Sequence, residues 1–145
     1  MVDIVDSGVR SRMMAGIKGA NTRPELELRR ALHAAGYRFR LHSGKLAGKP
    51  DIVLPRYRAV IFVHGCFWHR HDGCRYATTP ATRTEFWQGK FDANVRRDAR
   101  SQADLQAGLW RLAIVWECSI KRLGGAEITL RLAECLAGEI GLIEI

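Results

Sequence analysis

Asp51-Ile52-Val53-Leu54-Pro55-Arg56-Tyr57-Arg58-Ala59-Val60-Ile61-Phe62-Val63-His64 is the stretch on which the fold turns. Ile52 to Leu54 and Ala59 to Val63 are short apolar runs rich in β-branched residues. Pro55 to Arg58 between them is turn-forming, so the segment predicts a hairpin with strands Asp51–Leu54 and Ala59–Val63. The hairpin brings Asp51, at the start of one strand, and His64, at the end of the next, to the same edge of a sheet.

The second strand runs directly into His64-Gly65-Cys66-Phe67-Trp68-His69-Arg70-His71-Asp72-Gly73-Cys74, which packs three His, two Cys and two large aromatics into one loop. Soft thiolates beside imidazoles are zinc ligands. Cys66, His71 and Cys74 are close enough for one loop to wrap an ion, and Cys118, at the end of a later strand that can return to this edge, completes a closed tetrahedral structural site. Stray surface His and buried Cys are the competing reading. Cys135, the remaining cysteine, sits on an inward helical stripe and reads as core.

Outward from the hairpin, Asn21-Thr22-Arg23-Pro24-Glu25 reads as a helix start, with Thr22 as cap and Pro24 in the first turn. Leu28, Ala31, Leu32 and Ala35 form its buried face and Gly36 ends it. Glu25 falls on the inward face at the helix mouth, where it either complements the helix dipole or serves chemistry. Tyr37 to Leu41 alternates as a strand, and Ser43 to Pro50 is a loop. A long helix is expected over Thr84–Ala107, with Trp87, Phe91, Val95 and Leu105 as its buried stripe. Lys90, Asn94, Arg97 and Ser101 line the adjacent stripe, which is either a solvated face or one suited to base-edge contacts. Gly108 stops this helix, Trp110–Cys118 is a fourth strand, and Glu127–Ala137 a last helix with Ile128, Leu132 and Cys135 or Leu136 inward.

The order helix, three strands, helix, strand, helix predicts an α/β fold with a central mixed sheet and helices on its faces. With no repeat and no dividing linker, residues 21–145 read as a single domain. Residues 1–20 read as a basic arm in which Val9, Met13, Met14 and Ile17 fall near helical spacing. That stripe either packs on the body or presents Met14 and Ile17 to DNA.

Among 145 residues, 47% are hydrophobic and 26% charged, ordinary for a globular domain of this size. The net charge of +8 is not ordinary. It favours a polyanionic partner, nucleic acid foremost, with an anionic membrane or simple solubility as alternatives. The first twenty residues lack a secretory apolar core, and the longest apolar runs fall far short of the ~20 residues of a membrane span. A soluble, intracellular protein is therefore expected, in which clustered Cys bind metal rather than form disulfides.

If zinc takes Cys66, His71, Cys74 and Cys118, then His64 and His69 remain free on the same loop. A closed zinc site offers no position for water, so the metal braces rather than attacks. Asp51 is a hard oxygen ligand suited to Mg²⁺, and a His near pKa 6.5 can deprotonate water. Together they point to phosphodiester hydrolysis, while Phe67 and Trp68 are what a surface needs to slide between bases.

Arg12-Met13-Met14, Pro24-Glu25, Gly48-Lys49-Pro50-Asp51, Val60 through His69, Thr82-Arg83-Thr84-Glu85-Phe86-Trp87 and Val115-Trp116-Glu117-Cys118 resemble the very-short-patch-repair (Vsr) mismatch endonucleases over about residues 9 to 120. The resemblance implies a restriction-endonuclease-like, PD-(D/E)XK-type fold. It also implies Mg²⁺-dependent nicking of one DNA strand 5′ of the thymine in a T:G mismatch, which arises when 5-methylcytosine deaminates. The enzyme would then work as a monomer in the bacterial cytoplasm, on the nucleoid, in association with a DNA cytosine methyltransferase.

Position by position, the resemblance makes Asp51 the metal-binding acid, His69 the general base, His64 a second active-site histidine and Glu25 a supporting acid. Phe67, Trp68 and Trp87 match the aromatic wedge, Lys90 and Asn94 the base-reading helix positions, and Met14 with Ile17 the minor-groove arm. The acid-x-Lys of restriction-type nucleases is absent, because Phe62-Val63-His64 stands there; the main-chain carbonyl of Val63 is the implied substitute ligand for Mg²⁺. The alternatives are a related enzyme cutting fully paired sites and a zinc-stapled DNA-binding module. A His-Asn-His nuclease is disfavoured, since Arg97 and Asp98 follow Asn94 where a ligand His would be expected.

Overall fold

Thr22 caps the first helix, α1 (Arg23–Ala34), and Glu25 closes a capping box with it. The Thr22 hydroxyl accepts the Glu25 N–H at 3.4 Å and a Glu25 carboxylate oxygen accepts the Thr22 N–H at 3.2 Å. The chain continues through β1 (Arg40–Leu41), β2 (Ile52–Leu54), a 3₁₀ turn at Pro55–Tyr57, β3 (Ala59–His64), α2 (Thr84–Ala107), β4 (Arg111–Trp116), α3 (Glu117–Leu123), α4 (Gly125–Ala137) and β5 (Leu142–Glu144). This computed structural model describes residues 21–138 and 141–145. The expected arm at 1–20, with Met14 and Ile17, lies outside the described residues.

The strands form one mixed sheet in the order β1-β2-β3-β4-β5, antiparallel from β1 to β3 and parallel from β3 to β5. The expected hairpin is present, with Ile52 opposite Ile61 and Leu54 opposite Ala59, and Arg58 turns the chain in a left-handed conformation at φ 47°. Along β3 the alternation of side chains feeds two cores. Ala59 and Ile61 join Leu28 and Leu32 of α1 and Ile128 and Leu132 of α4 on one face. Val60 and Phe62 join Leu105 of α2, Trp116 and Cys66 on the other. A strand buried on both sides reads as a continuous apolar run, as Ala59 to Val63 does.

Several expectations are corrected. The first strand is paired only at Arg40–Leu41, because its partner β2 is three residues long; Tyr37 and Phe39 pack half-buried against the core instead. The second strand is paired from Ile52 rather than Asp51. The fourth strand ends at Trp116, and Glu117 and Cys118 open α3, whose Ile120 anchors it in the core. The last helix begins at Gly125, where a Cβ would stand 3.0 Å from Ala31 of α1, so the glycine permits close packing of the two helices. A fifth strand lies beyond the last helix. Ala35 is exposed past the end of α1. Val95 is 45% exposed, because the buried stripe of α2 runs from Phe91 through Asp98 to Leu105 in steps of seven and leaves Val95 at its margin. Among the described residues no helix is long and apolar enough to cross a membrane.

The loop leading into Asp51 is clamped to both β3 and α2 at Gly48. Its φ is +74°, and a Cβ there would lie 2.8 Å from the Ser101 Cβ and 3.2 Å from the Phe62 ring. Gly48→Ala is expected to destabilise the protein by about 1–3 kcal/mol through strain and overpacking. Urea unfolding measures this, and an unchanged midpoint would show that the loop is not clamped.

Candidate active site and metal centre

Parallel pairing of β3 with β4 puts His64 opposite Trp116, so Cys66 and Cys118, each two residues farther on, leave the sheet at one edge. The loop then folds back on itself. The His69 N–H donates to the Gly65 carbonyl at 3.1 Å and the His71 N–H to the Cys66 carbonyl at 3.1 Å, while Glu117 accepts the Cys66 N–H at 3.1 Å. As a result Cys66, His71, Cys74 and Cys118 offer four ligand atoms within 4.8 Å of one another. The Nδ1 of His71 stands 3.6 Å from the Cys66 sulfur and 3.3 Å from that of Cys118, and its ring stacks on Trp116 at 4.2 Å. Burial pushes the Cys66 thiol up to about 12, against a hydrogen bond from the Cys118 backbone that favours the thiolate. Three sulfurs and an imidazole converging without a disulfide are a donor set that can hold a metal ion, and the chemistry fits zinc.

Asp51, Val63, His64 and His69 line one open cavity of about 550 Å³, together with Gly48, Lys49 and, from α2, Arg97, Asp98 and Ser101. One Asp51 oxygen accepts the Val63 N–H at 2.7 Å, which fixes the carboxylate beside β3. Burial, with a smaller push from the nearby Glu25 charge, raises the Asp51 pKa to about 6 in spite of that hydrogen bond. A carboxylate whose charge is disfavoured by burial is favoured again by a nearby cation. The residues therefore fit a hard cation at Asp51.

The two histidines stack face to face, with centroids 3.8 Å apart and planes within 5°. His64 is 5% exposed, wedged also against the edge of Trp116, and burial followed by the His69 charge lowers its pKa to about 3. It is a neutral imidazole. His69 is different, because its Nδ1 meets an Asp98 carboxylate oxygen at 2.6 Å, which leaves Nε2 for the cavity. Sequence reasoning missed Asp98 as a partner and considered it only as a place where a ligand His was absent. The signal was its position midway between Phe91 and Leu105 on an inward stripe, where an acid needs a partner.

Glu25 is 1% exposed and its second oxygen meets His42 Nε2 at 2.6 Å. Glu25, His42 and Asp51 bring their ligand atoms within 4.8 Å of one another. His42 was also missed, since nothing in the pattern around it separates it from a loop histidine.

Phe67 and Trp68 sit half-buried in an aromatic cluster, with Phe67 edge-on to Trp68 at 5.0 Å and to Phe91 at 5.1 Å. Trp87 is 7% exposed and backs both from α2, at 5.8 and 6.0 Å. The neighbouring Phe86 is the exposed aromatic there. Lys90 Nζ lies 5.6 Å from the Trp68 ring centre. Asn94 donates to the Trp68 carbonyl at 3.2 Å and accepts from Arg97 at 2.8 Å. Arg70, unnoticed in the sequence, ties the loop together by donating to the carbonyls of Phe67, Ala77 and Thr78 while its guanidinium covers the Phe91 ring at 3.9 Å.

Comparison with known proteins bears on this arrangement. A family described as DNA mismatch endonuclease Vsr matches residues 2–75. The chain is 44% identical over 142 residues to the DNA mismatch endonuclease Vsr of Escherichia coli, covering 96% of this chain and 90% of that one. It is 48% identical over 131 residues to the type II nicking enzyme V.XorIIP of Xanthomonas oryzae, covering 90% and 96%. It is 38% identical over 121 residues to the type II nicking enzyme V.NmeAIP of Neisseria meningitidis, covering 83% and 86%. Matched by the family over half of its length and by these relatives over most of it, the chain belongs to the Vsr family of DNA mismatch endonucleases.

Proposed function

We propose that this chain nicks one DNA strand 5′ of the thymine in a T:G mismatch, with structural zinc in the loop after β3 and catalytic Mg²⁺ at Asp51. The observation that carries this reading is the meeting of Asp51, His64 and the His69–Asp98 pair in one cavity, on the same loop as Phe67 and Trp68. The domain at 21–145 is then a restriction-endonuclease-like nuclease, and the missing acid-x-Lys is replaced by what Phe62-Val63-His64 offers.

The Asp51 carboxylate and the Val63 main-chain carbonyl would hold Mg²⁺. When bound there, it supplies positive charge to the scissile phosphate and to the leaving oxygen. His69 takes the proton of the attacking water at Nε2, because Asp98 holds Nδ1–H on the far side of the ring. His64, neutral and stacked against it, keeps that ring in place and offers a hydrogen bond. Glu25 supports the Asp51 side of the site, and Lys49 and Arg97 give the cavity cations to meet the phosphate backbone.

Phe67 and Trp68, backed by Trp87, form the wedge. Unstacking a base step costs a few kcal/mol and least at a mismatch, so insertion contributes to selectivity. Lys90 and Asn94 face base edges, and Met14 with Ile17 form the minor-groove arm. The chain acts as a monomer in the bacterial cytoplasm, on the nucleoid, beside a DNA cytosine methyltransferase whose deaminated products it repairs. Relatives are named as type II nicking enzymes, and the second reading is a nicking enzyme that also acts on fully paired sites.

Labelled duplexes carrying T:G or C:G at one position, incubated with the zinc-loaded protein and Mg²⁺, separate these readings. Nicking of the T:G duplex alone is expected, equal nicking of both establishes the second reading, and cleavage of neither refutes both.

Zinc loss should unfold the loop. Cys66→Ala is expected to lose bound zinc and most folded protein, measured by metal analysis and circular dichroism. A stable, metal-free Cys66→Ala protein would remove the structural zinc.

Burial disfavours the charged form of Asp51. Its folded pKa of about 6 lies above the model-peptide value of 3.8, so its contribution to stability is complete below about pH 4 and is lost as pH rises through 6. Without added Mg²⁺, Asp51→Asn should therefore be more stable than wild type at pH 8, by on the order of 1–3 kcal/mol, with the gain vanishing near pH 4. It should bind DNA and fail to nick. Equal stability of the two proteins at both pH values would contradict the buried charge.

A further inference from the structure

We propose that Arg70 is a positioning residue for mismatch recognition: its guanidinium fork holds the Phe67 and Trp68 pair against α2, so that the pair unstacks a base step without recoiling. The proposal rests on the reading of Phe67 and Trp68 as the wedge, and it gives Arg70 no contact with the reacting atoms.

The half-buried Arg70 spends both terminal nitrogens on the loop. Nη1 donates to the Phe67 carbonyl at 3.0 Å and to the Thr78 carbonyl at 2.9 Å, and Nη2 donates to the Ala77 carbonyl at 2.9 Å and to the Thr79 hydroxyl at 3.1 Å. The fork thus ties the peptide of a wedge residue to the stretch 77–79, which leads through the buried Pro80 toward α2. Its centre lies 3.9 Å from the Phe91 ring centre and 5.8 Å from that of Phe67, so it stands between wedge and helix. Among the described residues no carboxylate pairs with it. Carbonyl oxygens and ring faces meet its charge instead.

The wedge is gripped at consecutive peptides. Arg70 holds the Phe67 carbonyl, and Asn94 donates to the next one, that of Trp68, at 3.2 Å. The Cys/His cluster does not do this, because its ligands stand at 66, 71, 74 and 118 and none at 67, 68 or 77–79. The backbone at Arg70 is left-handed, φ 55°, a conformation unfavourable for a residue with a side chain of this kind. On either side of it the His69 and His71 N–H groups donate to the Gly65 and Cys66 carbonyls, both at 3.1 Å. The turn therefore sends three successive side chains to the cavity, to the back of the wedge and to the metal cluster.

Insertion loads the aromatic pair, since unstacking a base step is costly and the duplex resists it. The support must therefore be stiff. A planar guanidinium with its donors in fixed directions loses less on ordering than an ammonium on a flexible stem. Lysine would keep the charge, yet it has three donors and no flat face to lie on Phe91. Two other roles compete for Arg70. One is a phosphate contact, for which charge suffices, and the other is a general staple of the loop, whose loss would be felt in folding and metal binding.

A fluorescent aminopurine placed beside the mismatch of a T:G duplex, and at the same position of a C:G duplex, reports unstacking when the zinc-loaded full chain binds without Mg²⁺. Wild type is expected to raise the fluorescence at T:G and much less at C:G. Arg70→Lys keeps the charge, and Arg70→Asn suits the left-handed backbone. Both should bind the T:G duplex within about threefold of wild type, lose most of the rise, and nick at least about tenfold more slowly at saturating DNA once Mg²⁺ is added. Zinc content and unfolding midpoint should hold. Thr79→Val removes one acceptor of the fork and leaves Arg70 and the metal ligands in place; it should lose part of the rise, which keeps the test open if the Arg70 variants fold poorly. A wild-type-like Arg70→Lys would overturn the fork in favour of a charge contact. Zinc loss in both Arg70 variants with an unchanged rise in Thr79→Val would overturn it in favour of a general staple. A full rise in all three variants would discard the role of Arg70 and keep the wedge, whereas neither rise nor nicking with wild type would discard the wedge and this proposal with it.

Discussion

The parallel pairing of β3 and β4, with His64 set against Trp116, decides where the rest of the site can be. Parallel strands leave a sheet in the same direction, so the residues that follow them emerge side by side. Cys66 and Cys118 meet for that reason alone, and the loop between β3 and α2 is pinned at a sheet edge before any metal is considered. Antiparallel β2 enters at this edge because β3 leaves there, which delivers Asp51 to Val63. A one-residue slip of β3 against either neighbour would exchange its two faces and dissolve both the Cys/His cluster and the Asp51 contact.

The long helix α2 supplies the opposite wall. Few of its side chains are buried, and its inward face carries polar groups as well as apolar ones. Asn94 holds the Trp68 carbonyl and Asp98 holds His69, one helical turn apart. A rigid helix thus grips the loop at two points, one on the aromatic pair and one on the histidine. Under the proposed function, a displacement of Trp68 on entering DNA is felt at Asn94 and transmitted along the helix to Asp98. Wedge and base then move as one body rather than as two flexible side chains.

Much of this was legible in the residues. The hairpin, the Thr84–Ala107 helix and the Cys66, His71, Cys74 and Cys118 set follow from periodicity, turn chemistry and ligand type, which act over short stretches of chain. The resemblance added the family and the wedge role proposed for Trp87, and it chose among the readings left open for Glu25 and Lys90. What escaped was set by tertiary contact. The chain after Trp116, Glu117 to Leu123, is short and mixed in polarity, and it forms α3 with Ile120 packed in the core. β5 is short and half-exposed and exists through its pairing with β4. His42 and Asp98 are ordinary polar residues in sequence, and only the fold shows that each faces the partner that gives it meaning.

Two identical side chains illustrate how neighbours divide roles. Imidazoles stacked at 3.8 Å cannot both carry charge at little cost, so one must remain neutral. Burial beneath Phe62 and Trp116 assigns neutrality to His64, and the charge of His69 reinforces it. Asp98 stands beside the other ring, where an added proton would be met by a carboxylate at 2.6 Å. Sequence order and chemistry offer no means of choosing between His64 and His69 as proton acceptor. The choice follows from which ring lies under the sheet and which faces an acid, and on that basis the proposed base is His69.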